Sequence, residues 1–308
     1  MVGRDDEEHP ARTSTPQQAR RARAIARQAS LSGVPSAHLS ASWEMPPAVL
    51  IAAALSVVLF AQAFLRLRAR RPEYAPWTRA LLFAAGLALL VLPLVSPLDE
   101  AGDERLLSAH MLQHVLIGDA AVALLVVAVR GPLVFFLLPP AVLRPLAGFR
   151  PLRAFLSMLL IPLVSLVLWA AAMIVWHVPR IYDYAAAHPV VHDLQHLSFV
   201  VAGLLAWTQL VDPARHDRMR RPQRIFFALG MLAFAQPIVD LLLFSSTSVY
   251  GRYSHPADPL FGISPLTDQR LAGVVMMTEQ LLTLGICVAL LLRPYLRERR
   301  TRARPAFS

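Results

Sequence analysis

Seven stretches of this chain stay apolar for about 20 residues each, and no other feature constrains its fold as tightly. They cover 46–65, 80–98, 106–129, 155–176, 190–210, 225–244 and 271–292. A bilayer hydrocarbon core of about 30 Å takes roughly 20 residues of helix to cross, so each stretch is long enough to span it. Within lipid the backbone must satisfy its own polar groups, which leaves helices or a closed barrel. The runs are continuous, without the alternation of barrel strands. The expected fold is therefore all-α, a polytopic membrane bundle of about seven transmembrane helices filling 45–295. Composition agrees, with 56% hydrophobic residues and a mean hydropathy of +0.49. Pro93, Pro162 and Pro237 fall inside runs and read as kinks.

The ends read differently. Residues 1–44 are rich in Arg, Ala, Ser and Pro, hold four consecutive acids from Asp5 to Glu8, and have little to bury, which predicts a disordered polar tail. The chain does not open on a basic segment followed by a short apolar one, so the first run is expected to be a retained span and not a signal peptide. Residues 296–308 form a basic tail.

Every basic residue is arginine, and arginine-rich short loops stay cytoplasmic. Arg66, Arg68, Arg70 and Arg71 follow the first run, Arg144, Arg150 and Arg153 the third, Arg215, Arg218, Arg220 and Arg221 the fifth, and Arg297, Arg299 and Arg300 the seventh. The alternate loops are acidic or mixed, as in Asp99, Glu100, Asp103 and Glu104. This pattern predicts an outside N-terminus and a cytoplasmic C-terminus, against which Arg20, Arg21, Arg23 and Arg27 weigh mildly. The net charge of +10 is then a matter of topology, and nucleic acid is not an expected partner.

On this topology the histidines gather at the outer end. "HMLQH" places His110 and His114 four apart at the start of the third run, and "HDLQH" places His192 and His196 likewise at the start of the fifth. His177 closes the fourth at the same face. Positions i and i+4 of a helix share a face, close enough for both rings to reach one metal ion or a pair. One such pair can equally be a helix cap or part of the interfacial belt. Two pairs plus His177 point to a metal or haem site, because ionisable residues at membrane depth are expensive and usually functional.

Imidazole suits zinc, copper, iron and nickel, while thioether sulfur favours Cu(I). Met173 lies one turn before His177 and Met111 beside His110, although methionine is also ordinary membrane filling. Cys287, the one cysteine, reads as packing. Asp193, Asp240 and Asp268 fall near the same end and could accept an imidazole N–H or attract a cation; for Asp193 and Asp268, helix capping is the competing role. Asp268 and Glu279 share a helix face, and Asp119 is expected to project away from His114 toward another polar group.

Taken in order, "HMLQH", "WHVPRIYDYAAAHPVVHDLQHLSF" and "DQRLAGVVMM" resemble the CtaG family of bacterial cytochrome c oxidase assembly factors over about residues 46–292. These are seven-helix membrane proteins associated with copper-site formation in caa-type oxidases. The resemblance marks His110, His114, His177, His192 and His196 as the family-like positions, with Asp268 and Gln269 in the last motif. Met277 stands where an aromatic residue is common. It implies a non-enzymatic metallochaperone of the bacterial plasma membrane that takes copper, as Cu(I), at the outer face and passes it to oxidase subunit I or II. Its partners would be copper, the oxidase and the bilayer. Two other readings remain open. One is a membrane di-iron hydroxylase or desaturase, although no HxxHH element is present; the other is a b-haem carrier with His114 and His196 as axial ligands.

Overall fold

The computed structural model of the 308-residue chain describes residues 43–254 and 260–302. Nearly all of the tail assigned to 1–44, with His9 and His38, lies outside the described residues, as does the end of the basic tail. Among the described residues every regular element is helical. The long helices are α1 (Pro47–Arg70), α2 (Trp77–Val95), α4 (Leu107–Ala128), α6 (Pro162–Trp176), α8 (Pro189–Val211), α9 (Arg221–Phe244) and α10 (Pro265–Pro294, continuing to Arg302). Between them lie α3 (Pro97–Glu104), α5 (Arg150–Leu159) and α7 (Pro179–Ala187).

Proline punctuates the chain. Pro47, Pro97, Pro162, Pro179, Pro189 and Pro265 each open a helix, where the missing N–H has no partner to lose and φ is already helical. Six helices are long and apolar enough to cross a membrane singly, and a bent pair raises the number to seven. That pair covers the expected fourth span over 155–176, and it is bent where a single helix was expected. The apolar run is divided into α5 and α6 at an angle of 70°. The ring of Pro162 disfavours a helical conformation in the residue before it; here Ile161 is extended (φ −67°, ψ 126°) and the helix stops before it. α5 buries none of its residues. At 15 residues, α6 is about 22 Å long, short of the hydrocarbon thickness. α3 and α7 were not anticipated, and both pack beside the N-terminal ends of α4 and α8.

α4 is the central helix. In its apolar window 61% of residues are buried, against 17% for α1 and for the span built on α2, which form the periphery. It packs on α2, α3, α8 and α10, while α6 packs on α8 and α9, and α9 on α10. The crossing of α4 and α8 depends on two glycines. A Cβ built on Gly203 would lie 2.0 Å from the Gly118 carbonyl oxygen, so the two backbones touch there. The N-terminus of α4 is capped from α10: Asp268 accepts from the backbone N–H of Leu107 (2.6 Å) and Ser108 (3.1 Å), satisfying donors that the helix leaves free. α4 and α10 are each interrupted by a π-helical turn, at Leu116–Ala120 and Leu281–Gly285.

Candidate metal centre

The first turns of α4 and α8 lie side by side, so their HxxxH faces meet. His110, His114, His192 and His196 each offer one ring nitrogen, and these nitrogens all lie within 4.8 Å of one another. The rings form a slightly folded rectangle. Within each helix the centroids are 4.2 Å (His110 to His114) and 4.1 Å (His192 to His196) apart, and across the crossing both pairs are 5.1 Å apart. The diagonals, 6.3 and 6.4 Å, are nearly equal. All four residues are buried.

Few of these nitrogens have a partner. Nε2 of His110, Nε2 of His196 and both ring nitrogens of His114 make no hydrogen bond, and Nε2 of His192 has only the Asp103 carboxylate, 3.5 Å away. A buried polar atom left alone is costly, and native structures rarely collect several in one place without a use. Four nitrogens at about 2.0 Å from one ion lie roughly 3.3 Å apart in a tetrahedron, so closing this group on one ion moves each ring by about 1 Å at most. The donor set, four imidazoles with one adjacent carboxylate, can hold copper, zinc, iron or nickel.

Asp103 on α3 is the residue that sequence reasoning missed. Its Oδ1 lies 3.2 Å from His110 Nδ1 as well as near His192. Burial alone would raise its carboxyl pKa, but the hydrogen bond from His110 and the field of His192, His110 and His196 outweigh that and hold it below the usual range. It reaches the centre because Gly102 presses α3 against α4; a Cβ there would lie 3.0 Å from the His110 backbone. The sequence carried little signal for this contact, since the chain breaks its helix at Arg105 before turning into α4. Tyr253 was missed as well. Its hydroxyl donates to the Gly102 carbonyl (2.7 Å) and lies 3.3 Å from His110 Nδ1. Gln113, inside the first motif, donates to the Asp99 carboxylate and to the Pro93 carbonyl (3.1 Å). The residue four past Pro93 is Pro97, which has no N–H to offer that carbonyl.

The other predicted residues have different fates. His177 does not join the four rings; the Phe199 ring packs against both it (6.1 Å) and His114 (4.9 Å). Its Nδ1–H donates to the Met173 carbonyl at 2.6 Å, and its Nε2 has no partner. Met111 is buried, Met173 half-buried, and both line a cavity below His114. Asp193 is exposed at the rim of the centre. Asp240 turns away and takes its hydrogen bond from Gln236 (2.7 Å), so it orients no imidazole. Asp268 is occupied as the cap of α4. Asp119 has the polar partner expected of it, accepting from the Trp207 indole, but it also lines the same cavity as His114, from which it was expected to turn away. The π turn supplies the reason, because one extra residue per turn brings positions five apart onto one face. Cys287 packs against the apolar core.

A recess of about 420 Å³ leads to His192 and His196. Glu44, Asp99, Asp103, Glu104 and Asp193 line it with one cation, Arg252. Five carboxylates against one guanidinium give it a negative lining, which favours a cation. Asp99 is held neutral to a higher pH than usual: burial, then repulsion from Asp103, push its pKa up to about 6 against the hydrogen bond from Gln113.

The sequence model of one family, the cytochrome c oxidase caa3 assembly factor, matches residues 58–298. No curated protein and no solved structure matched.

Proposed function

The chain belongs to the cytochrome c oxidase caa3 assembly factor family, and we propose that it serves assembly by carrying copper in the four-imidazole centre to a nascent oxidase subunit, I or II. The observation that carries this reading is the buried rectangle of four histidines whose ring nitrogens lie within 4.8 Å of one another and largely lack partners. The ion is Cu(I), taken up at the outer face of the bacterial plasma membrane. The arginine distribution supports that side, since the arginine-rich loops lie at the opposite end of the bundle and such loops favour the cytoplasm.

Each part of the site has a use in delivery. The acidic recess concentrates cations at the mouth. His192 and His196, which it reaches, make first contact, and His110 and His114 complete the shell deeper in. Asp103 accepts from His110 Nδ1–H, which leaves the lone pair on the unpartnered Nε2 of His110 for the ion. Neutral imidazoles bind copper firmly and still exchange with ligands of an arriving partner, so the carrier needs no turnover chemistry.

A b-haem between His114 and His196 fits less well. The macrocycle would have to occupy the positions of His110 and His192, whose rings lie 4.2 and 4.1 Å from the intended axial ligands. The test is direct. His114→Ala and His196→Ala should each strip most bound copper from a chain that still inserts, and lower copper-dependent oxidase activity in cells. Added copper should partly restore that activity by mass action. His188→Ala is the control, because His188 is exposed and engaged with Tyr184 (Nδ1 to its carbonyl, 2.8 Å). Full copper and full activity in both variants would refute the reading, and a Soret band in the purified protein would replace it with haem.

A further inference from the structure

Below His114 lies a cavity of about 30 Å³, which the four-imidazole centre does not use. It has room for one small ion or a water. Three of the nine methionines in the chain line it, and they come from three helices: Met111 on α4, Met173 on α6 and Met276 on α10. His177 lines it too, and is 5% exposed. Its Nδ1–H is committed to the Met173 carbonyl, so the lone pair is on Nε2, which has no partner. Apolar packing accounts for a methionine in any one of these places. It does not account for a buried imidazole with an unused lone pair in the same small space.

We propose that this cavity is a second station for a single Cu(I) ion, with His177 Nε2 as its nitrogen ligand and the thioethers of Met111, Met173 and Met276 as its sulfur ligands. The chemistry differs from that of the centre above. Four imidazoles accept several first-row ions, whereas thioether sulfur selects Cu(I). The station therefore discriminates where the outer centre only captures. His114 connects the two, since it belongs to the four-ring group and also lines the cavity, and neither of its ring nitrogens is hydrogen-bonded. Asp119 and Glu279 line the same cavity, so an ion held there faces carboxylates on α4 and α10.

The inference rests on the copper reading above for the identity of the ion, and its test separates the two. The purified full chain is titrated anaerobically with Cu(I) against a competing chelator, and bound copper is examined by X-ray absorption. Wild type should bind a second ion beyond that of the imidazole centre and show copper–sulfur scattering. Met173→Leu with Met276→Leu, near-isosteric changes, should lose one ion and the sulfur signal. His192→Ala with His196→Ala should lose one ion and keep the sulfur signal. Wild type with nitrogen-bound copper alone would overturn the second station and leave the outer centre standing; sulfur-bound copper alone would do the reverse. No bound Cu(I) would overturn both. The scattering of the unmutated chain decides the question even if a variant fails to fold.

Discussion

Replacing Gly203 by alanine tests whether the α4–α8 crossing builds the metal centre. The new Cβ would lie 2.0 Å from the Gly118 carbonyl oxygen, where a relaxed carbon–oxygen contact is about 3.3 Å, so the helices must part by on the order of 1 Å. Gly118 is one turn past His114, and Gly203 two turns past His196. The separation is therefore felt at the rings, now 5.1 Å apart between centroids. Overpacking of this kind costs about 1–3 kcal/mol, and if it appears at the site it weakens copper binding about 5- to 150-fold. The sign is diagnostic, because alanine for glycine in an unobstructed helix stabilises by about 1 kcal/mol. Gly230→Ala is the matched control: its Cβ would meet Leu166 at 3.4 Å, an ordinary contact. Copper affinity by chelator competition and the thermal midpoint in detergent are read together. A Gly203→Ala protein with wild-type copper affinity and a raised midpoint would refute the claim that this contact sets the site.

Asp99→Asn should raise the thermal midpoint of the metal-free protein at pH 7.5 and leave it unchanged near pH 4. The carboxyl titrates at about 6 in the fold and 3.8 unfolded, so its presence lowers stability progressively from about pH 4 to pH 6, and the amide escapes that loss; equal shifts at both pH values would contradict it. Asp268→Ala removes the acceptor for two backbone donors of α4 and should destabilise by about 0.5–2 kcal/mol, read as a lower midpoint, with Asp268→Asn intermediate. Reporter fusions between Asp212 and Arg224 should read cytoplasmic and those between Ser245 and Ser254 external. The opposite pattern would turn the histidine end inward and revive the hydroxylase reading. Deleting residues 1–40 should leave bound copper intact, and loss of metal would implicate His9 or His38.

The membrane class and the pairing of the histidines were legible in the sequence because both follow from local rules. Hydrocarbon thickness converts directly into run length, and i, i+4 spacing into a shared helix face, so the apolar runs and the two HxxxH faces needed no knowledge of packing. What joins the faces is not local. Gly118 and Gly203 are 85 positions apart, and each is an ordinary glycine until the other is opposite it. Asp103 becomes a partner of His110 and His192 only because α3 folds back on Gly102, and Asp268 serves α4 instead of its own helix. His177 shares the membrane end of the other four yet lies beyond Phe199, a separation that depth along a helix does not specify. The division at Pro162 was half visible: proline announced a perturbation, but whether a helix kinks or breaks depends on what supports the freed backbone, and only the surrounding packing decides that. Asp119 shows the same limit at finer scale. A regular helix would have turned it from His114, and a π turn, absent from any hydrophobic pattern, brought it to the same cavity.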